Sequence, residues 1–593
     1  MQVTRMRNQH FGKSSNALFF MEVLNLKKYP DVVKRPEYWT TLPFEFCGPA
    51  AKEPPAFDFP EDSHLRDLID TYFTFHHPYY PLLHKPTFEK AIFEGSHHRD
   101  HHFGQLVLTL CSVASRYTDD PRNLPNPHEL SLGSGWKWLQ QVNLFARTSL
   151  RMVPVSLYEL QTYCLAICFL QTTNQADLAW ILIGTGIRYA QQRGIHRRNF
   201  NPSGETSTQV VENEMWKRAF WMLLSHDLFL SSGLGRPLVM TIDDYDTELL
   251  IEREDPDWDD PDSKQSSSDT SPGTFWNCYL RLLEIFSFVE QTLSSVRRSE
   301  LNEKLLTAAP HWNHKAVVEI DAALKNWLLN IPEHLKWDPH RENLVSFAQS
   351  SALYNTYYWI QIRVHRLFIP RRGDTASSTD FSSMAICTNA ARSCINILDV
   401  VQKRHPKSAF HLPFFGAAYN SAIIVLLNIL RGKELNLRVD IQKELSYVHR
   451  CFAFFGEWEK THAVPGRLRD ILITIFGHDP LSKLSENPKI THASSSNLPS
   501  LKRPREGSED EEGSGSTRKV PSERHDPYSD LNSENTTPGS IVFLRPLGND
   551  MSNLTPTSQL PSTSSEVSDS SSNLASTRST PSISYGGPAS LHP

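Results

Sequence analysis

Apolar residues recur at helical spacing through a long central part of the chain. Leu65, Leu68, Ile69, Tyr72 and Phe73 occupy the i, i+3, i+4, i+7 and i+8 positions, which lie on one face of an α-helix. No segment shows the regular alternation of apolar and polar residues that is typical of a half-buried strand. The pattern therefore predicts an all-α fold.

The same spacing and the usual helix-end signals predict further helices. A second apolar face runs from Phe103 to Ala114. Ser156 lies three residues before Glu159, and this pair can form a capping box that begins a third helix. A fourth helix is predicted from Asp177 to Gly194. Others are expected near residues 212–231, 274–297, 314–330, 344–368, 381–402, 412–431, 437–459 and 465–476.

Composition divides the chain into three parts. Residues 1–60 read as an extended, proline-punctuated lead-in with one short helix near 15–27. Residues 61–480 are predicted to form one large multi-helix domain, in which the acidic, serine-rich stretch 252–273 is expected to be a mobile loop. Residues 485–593 are rich in Ser, Thr, Pro and Asn. Because this tail cannot bury enough apolar surface to offset its ordering entropy, it is predicted to be disordered.

Charge and cysteine usage exclude some classes of protein. The net charge is −6 and the pI about 6.5, so the whole chain has no general attraction to nucleic acid or to an anionic membrane. The eight cysteines are scattered and form no C-x-x-C pair, as is typical of reduced core cysteines. The longest apolar run, near 422–430, is shorter than a membrane span and predicts a buried helix. We therefore expect a soluble, intracellular protein that has no membrane partner.

Two glycine motifs resemble nucleotide sites but lack the full pattern. The G-K-S at 12–14 would need a glycine at the position of Arg7, so that backbone N–H groups could surround a phosphate. The G-x-G of Gly184 and Gly186 would need a third glycine where Tyr189 stands. We therefore interpret neither motif as a nucleotide-binding site. Gly184 and Gly186 are interpreted instead as positions where two helices pack closely.

A histidine cluster has the composition of a metal site. In S-H-H-R-D-H-H (96–102), His97/His101 and His98/His102 form i, i+4 pairs that could hold a metal on a helix. Because the segment follows a glycine and links two helices, we interpret it as a solvated loop. No metal or other cofactor is expected in this chain.

Acidic and thiol groups also give no positive sign of catalysis. The acidic stretch D-P-D-W-D-D-P-D (255–262) lacks the glycine and glutamate of a calcium loop, and is interpreted as a solvated loop. The chain has no G-x-S-x-G motif. Cys164 and Cys168 lie one turn apart on an apolar helix face, which indicates burial. The chain is therefore predicted not to be an enzyme.

One basic cluster in the tail has the character of an import signal. Lys502, Arg503 and Arg505 follow one another closely in a polar segment, and Arg518 and Lys519 come further on. An extended basic strand can bind an acidic groove on an import receptor. The cluster predicts a nuclear protein, and a random basic patch is the alternative.

The segment W-K-R-A-F-W-M-L-L-S-H-D-L-F-L-S-S-G-L-G-R-P (216–237) resembles the fungal-specific transcription factor domain. That domain is the regulatory middle region of zinc-cluster (Zn₂Cys₆) activators, and the xylanolytic-activator type is the most similar. The residues that carry the resemblance are Arg218, Phe220, Trp221, Asp227, Gly235, Arg236, Pro237, Asp243, Asp244 and Asp246. The resemblance departs where Leu228 follows Asp227, since the family often has arginine there.

Two further segments at family-like spacing support the resemblance. The stretch 76–88 resembles the entry motif of the domain through His84, Pro86 and Phe88. The stretch 179–197 resembles its helix that ends in a Gly-x-His turn. The core motifs therefore span 76–250, and F-G-K-S-S near residue 12 is interpreted as a landmark before the domain.

The six-cysteine cluster that holds two zinc ions in this family is not found in the sequence. Only Cys47 lies within the first 100 residues, and without thiolates no zinc-stabilised recognition helix can form. We expect a cluster encoded upstream of Met1, which would supply the zinc and the DNA contact. A chain that reaches DNA only through a partner protein is the alternative.

The resemblance implies a nuclear transcription regulator that controls target genes. Its partners would be DNA, coactivators or mediator-type proteins, a small-molecule inducer and a second subunit of a homo- or heterodimer. The apolar tail segment 539–547 is the candidate coactivator contact. A DNA-free corepressor with the same fold, and an all-α ligand-binding protein or enzyme, remain as alternatives.

The Gly-Arg-Pro turn is interpreted as scaffold rather than as a site. Gly233 and Gly235 would end the aromatic helix, because glycine adopts the left-handed cap conformation readily. Pro237 would keep the helix from continuing. Arg236 is expected to reach back to a carboxylate such as Asp227.

Overall fold

The computed structural model describes the helical body of the chain. The described residues are 56–126, 130–144, 155–198, 207–252, 255, 271–293, 312–369, 378–405, 412–434 and 438–477. These residues contain α-helices and short 3-10 or π turns, with no strand among them. The predicted all-α fold is confirmed. The lead-in helix near 15–27, the G-K-S at 12–14, the basic cluster at 502–505 and the tail after 485 lie outside the described residues.

Most of the helices follow the predicted spans closely, and the short helices Lys85–Phe93 and Trp136–Leu139 were not predicted. In chain order they are α1 (Asp62–Thr71), α2 (Lys85–Phe93), α3 (His101–Ala114), α4 (Trp136–Leu139), α5 (Leu157–Leu170), α6 (Ala176–Arg193), α7 (Ser207–Leu234), α8 (Pro272–Leu293), α9 (Trp312–Leu329), α10 (Leu344–His365), α11 (Ser378–Arg404), α12 (Leu412–Glu434), α13 (Ile441–Trp458) and α14 (Ala463–Gly477). A π-helical turn, Tyr72–His76, continues α1.

Local signals fix the ends of several helices. At α5, the Ser156 hydroxyl accepts the Glu159 backbone N–H (3.2 Å), and the Glu159 carboxylate accepts the Ser156 backbone N–H (2.8 Å). At the end of α7, Gly235 has φ +67°, and Arg236 donates its N–H to the Ser231 carbonyl at 2.8 Å. This Schellman-type ending confirms the predicted cap at Gly235. Gly233 lies inside α7 instead, without a positive φ.

Two groups of helices form the core. In the first group α5 packs against α3, α6 and α7, and in the second α10, α11, α12 and α13 pack in succession. Helix α8 contacts α7 in the first group and α10 in the second. The buried residues of both groups form one continuous hydrophobic cluster. Helix α5 is apolar on nearly all sides because other helices surround it.

Helix α14 returns from the second group to the first. The backbone N–H of Ala463, at its start, donates to the carbonyl of Thr172 just after α5 (3.0 Å). The Arg467 side chain donates to the carbonyl of Thr173 (3.3 Å). The chain after α13 is therefore fastened to the end of α5.

Two local expectations need correction. Helix α2 has no counterpart in the sequence-based prediction, although Pro86 lies in its first turn, where its missing N–H costs nothing. The apolar run near 422–430 belongs to a longer helix, and its segment Pro413–Glu434 is long and apolar enough to span a membrane by length and composition. More than half of that segment is buried against the rest of the protein, so the buried helix predicted for this run is confirmed and only its length was underestimated.

Candidate functional site

The entry motif and the long aromatic helix meet at a buried ion pair. On α7, Arg218 directs Nη2 at Oδ1 of Asp255, at 2.7 Å. Both side chains are buried, with 1% and 7% of their surfaces exposed. The second guanidinium nitrogen, Nη1, donates to the carbonyl of Leu83 at 3.3 Å. Arg218 therefore joins α7 to the segment that precedes α2 and to Asp255.

His84 holds Asp255 from the other side. Its Nε2 lies 2.9 Å from the carbonyl oxygen of Asp255, which can only accept, so Nε2 carries the proton. Its Nδ1 then accepts from the hydroxyl of Thr87 at 2.7 Å. The backbone N–H of Lys85 adds a bond to Oδ2 of Asp255 at 3.3 Å. The family-like His-x-Pro segment thus fixes the backbone and the carboxylate of one acidic residue.

Electrostatics keep this cluster charged as an ion pair. Burial alone would raise the pKa of Asp255, but the charge of Arg218 and its hydrogen bond to the carboxylate outweigh this effect, and the pKa is lowered. Burial lowers the pKa of His77 to about 4, so this imidazole is neutral at physiological pH. Asp255 is therefore the buried anion that compensates Arg218.

The solvated-loop interpretation of 255–262 is wrong at its first residue. Asp255 is only 6% exposed. Its partners are 37 and about 170 residues away in sequence, so no local pattern could have found them. The remaining carboxylates of that stretch lie outside the described residues.

The Gly-Arg-Pro turn uses different partners from those expected. Arg236 Nη2 lies 2.5 Å from Oδ1 of Asp177 on α6, and its guanidinium carbon lies 4.6 Å from the ring centre of Trp180. Asp227 instead accepts the Ser231 hydroxyl (2.8 Å) and the Val239 backbone N–H (2.7 Å). The predicted contact between Arg236 and Asp227 is wrong, because the left-handed turn at Gly235 directs Arg236 to α6.

The aromatic members of the motif are core residues. Phe220 and Trp221 are 0% and 3% exposed, and the Trp221 indole N–H donates to the Glu248 carbonyl at 3.0 Å. Phe88 packs edge-on against Phe73 and Phe103. These three aromatic side chains therefore pack in the core, as the scaffold interpretation expects of them.

A small cavity lies beside this scaffold. Its volume is about 30 Å³, and Trp221, Asp227, Tyr245 and Glu284 are among its lining residues. That space suits a single water molecule rather than a metabolite. Burial raises the pKa of Asp227 to about 6 and raises that of Glu284. Because the pKa of Asp227 is higher in the folded state, its protonated form stabilises the folded protein at low pH. This stabilisation is lost as the pH rises through about 6.

The interior also holds a cysteine–histidine pair that the sequence did not reveal. Cys168 Sγ on α5 lies 3.3 Å from His226 Nε2 on α7. Burial raises the pKa of this thiol and lowers the pKa of His226 to about 3, so both groups stay neutral. A neutral, inaccessible thiol is a poor nucleophile. The interpretation of Cys164 and Cys168 as buried core residues is confirmed.

The histidine cluster does not assemble a metal site in the part of the chain that the structure describes. No group of three or more potential metal ligands was found there. His97 is buried edge-on beneath Phe59, and His101 stacks on Phe57 at 4.5 Å between ring centres. The solvated-loop interpretation therefore fails for His97, which packs as a core residue.

The glycine pair of α6 has a packing role at one position. A Cβ on Gly186 would come within 3.0 Å of the Leu223 side chain on α7. At Gly184 it would only reach ordinary contact with Val239, at 3.8 Å. The packing interpretation is confirmed for Gly186, and both glycines lie inside a helix rather than in a phosphate-binding turn.

Comparison with known families identifies this arrangement. The fungal specific transcription factor domain matches residues 69–328, which include the entry motif, α7 and the ion pair of Arg218 with Asp255. Residues 69–328 of this chain are therefore similar to that domain. No solved structure matches the chain.

Several curated relatives are similar to this chain over part of their length. Activator of stress genes protein 1 of Candida albicans is 24% identical over 56% of this chain and 35% of that protein. Cutinase transcription factor 1 alpha of Fusarium vanettenii is 24% identical over 58% of this chain and 36% of that protein. A Zn(2)-C6 fungal-type transcription factor of Fusarium oxysporum is 30% identical over 28% of this chain and 15% of that protein. The chain thus spans about a third of the length of the first two of these relatives.

Proposed function

We propose that this chain regulates transcription in a fungal nucleus, with its helical body as the regulatory region of a zinc-cluster activator. The observation that carries the proposal is the match of residues 69–328 to the fungal specific transcription factor domain. The relatives that carry transcription-factor names point the same way. The buried ion pair and the aromatic core give this region a rigid scaffold on which regulatory contacts can depend.

The DNA contact is proposed to come from outside the described body. A six-cysteine cluster holding two zinc ions, on a segment that precedes this sequence, would place a recognition helix in the major groove. The described cysteines are all buried and unsuited to zinc. A partner protein that supplies the DNA contact is the second candidate, and coactivators or mediator-type proteins are the proposed recipients of the signal.

A tethering experiment tests the transcriptional role. The full chain is fused to an unrelated DNA-binding domain in a yeast that carries the matching reporter gene. Reporter expression is expected to rise above that of the DNA-binding domain alone, because tethering replaces the zinc cluster. A fall below that level would favour the corepressor alternative. An unchanged level, with the fusion shown to occupy the promoter, would contradict the proposal.

Nuclear import is proposed to depend on the basic cluster of the tail. Replacing Lys502, Arg503 and Arg505 by alanine removes the charges that an acidic receptor groove would bind, so a fluorescent fusion is expected to shift from the nucleus to the cytoplasm. The matched control replaces Arg518 and Lys519 in the same tail and should leave the nuclear signal unchanged. Equal nuclear signal in both variants would show that import uses another segment.

A further inference from the structure

A buried arginine lies at the junction of α14 with the first helix group. Arg116 is 5% exposed and belongs to the 3-10 turn Ser115–Tyr117 after α3. Its Nη1 donates to the carbonyl oxygens of Leu132 (3.1 Å) and Thr461 (2.7 Å). Within the described body, no carboxylate forms an ion pair with it, and its buried Nε has no hydrogen-bond partner. Arg116 therefore differs from Arg218, whose charge is met by Asp255.

The charge of Arg116 is only partly compensated by its neighbours. Its guanidinium carbon lies 4.3 Å from the ring centre of Phe169, in a cation–π contact. Burial lowers the pKa of Arg116 to about 9, so the side chain is still cationic at neutral pH. Burial also holds the pKa of the adjacent His462 well below its usual value, so that imidazole is neutral. A buried cation without an anion is costly, and folded proteins normally pair such charges.

Arg116 lines a cavity large enough for a small molecule. The cavity has a volume of about 460 Å³, within the range of ligand sites. Leu132, Trp136 and Ala463 give it apolar walls, and none of its lining residues is acidic. Asn174 and Gln175 are exposed at its edge, where their side-chain amides can donate hydrogen bonds.

We propose that this cavity binds a small organic acid, whose carboxylate supplies the counter-ion that Arg116 lacks among the described residues. Like the buried Nε, Nη2 makes no hydrogen bond to the described residues, and it can donate to a carboxylate oxygen. The apolar walls would receive the hydrocarbon part of the ligand. The single positive charge of Arg116 neutralises one carboxylate. A phosphate dianion in the same cavity would keep one negative charge without a partner, so a carboxylate is the better match.

The position of the cavity would couple the ligand to α14. The loop at Leu132, the turn after α5 and the start of α14 all contribute to its walls. A bound acid would strengthen the contact between Ala463 and Thr172 by adding a shared partner to both sides. Binding itself does not depend on the transcriptional role. Its use as an inducing signal would rest on the proposed function.

Thermal unfolding of the purified full chain tests the site. The probes are benzoate and hexanoate, with benzamide as the neutral match for benzoate and inorganic phosphate as the competing anion. At about 10 mM, at least one of the two acids is expected to raise Tm by about 3 °C, because a ligand of the folded state stabilises it by mass action. Benzamide and phosphate should have no such effect. No shift with either acid, or an equal shift with phosphate, would overturn the proposal.

Calorimetric titration of variants assigns the binding to this cavity. Arg116→Met is expected to weaken binding of the acid at least about ten-fold, since it removes a charge-assisted hydrogen bond. Arg469→Met is the matched control, because Arg469 lies further along α14, pairs with Glu459 and does not line the cavity. It should bind the acid as the unaltered chain does. Unchanged affinity in Arg116→Met would refute the assignment.

A second variant keeps the test independent of the folding of Arg116→Met. Ala463→Leu retains the arginine and narrows the cavity, and is expected to lose binding while circular dichroism shows an unchanged helix content. Binding at full affinity in Ala463→Leu would place the ligand elsewhere. Reporter activity of the tethered chain is measured separately, so that a failure of binding is not confused with a failure of the transcriptional role.

Discussion

Arg218→Ala lowers the free energy of unfolding by about 3–5 kcal/mol, because it leaves Asp255 as a buried charge without a partner. The lost bond from Nη1 to the Leu83 carbonyl adds to the effect. Urea denaturation followed by tryptophan fluorescence would show this as a lower midpoint with an unchanged slope. We expect the largest loss of stability among single changes in the family motif.

Arg236→Ala is the matched control, since it removes an arginine from the same motif. Its ion pair with Asp177 is exposed, at 30% and 60% of the two side chains, and such pairs contribute about 1 kcal/mol or less. The double variant Arg218→Met/Asp255→Leu removes both buried charges and should recover much of the stability lost in Arg218→Ala. An equal loss in Arg218→Ala and Arg236→Ala would show that the buried pair is not important for stability.

The contribution of the pair also depends on pH. Folding lowers the pKa of Asp255, so its stabilising effect is present above the unfolded pKa and is lost as pH falls through the folded pKa. The difference in stability between the unaltered chain and Arg218→Ala should therefore narrow in acid. A difference that grew towards low pH would contradict the assignment of Asp255 as the anionic partner.

Gly135→Ala lowers the free energy of unfolding by about 3 kcal/mol, through backbone strain and a forced contact in the core. Gly135 has φ +84°, and a Cβ there would lie 2.5 Å from the Ser112 carbonyl oxygen and 2.8 Å from Phe169. Neither neighbour can move easily, because one is the backbone of α3 and the other a buried ring of α5. Urea denaturation again measures the change.

Gly95→Ala separates the two causes. Gly95 also has a positive φ, at +67°, but a Cβ there meets nothing within 4 Å. In this control, the free energy of unfolding should fall only by the cost of the left-handed backbone conformation, about 1 kcal/mol. If both alanine variants lose the same free energy of unfolding, the close approach of Gly135 to α3 does not contribute to the effect.

The sequence alone determined the helical architecture of the described body. Amphipathic spacing, the capping box at Ser156 and the glycine cap at Gly235 all act within a few residues of one another, so each can be recognised without knowing the fold. The family motif was also readable, because its residues follow one another at short spacing in and beside α2 and α7. Helix α2 itself was missed, since its short apolar face follows a proline-rich entry.

Only the tertiary structure decided which polar groups meet. Arg236 pairs with Asp177 rather than Asp227, and Asp255 is a buried counter-ion rather than a solvated acid. Arg116 is a buried cation beside a cavity, and no carboxylate of the described residues forms an ion pair with it. Nothing near it in sequence indicates this. The reason is physical: helix formation depends on neighbours within a turn or two, whereas an ion pair or a cavity depends on how distant helices pack.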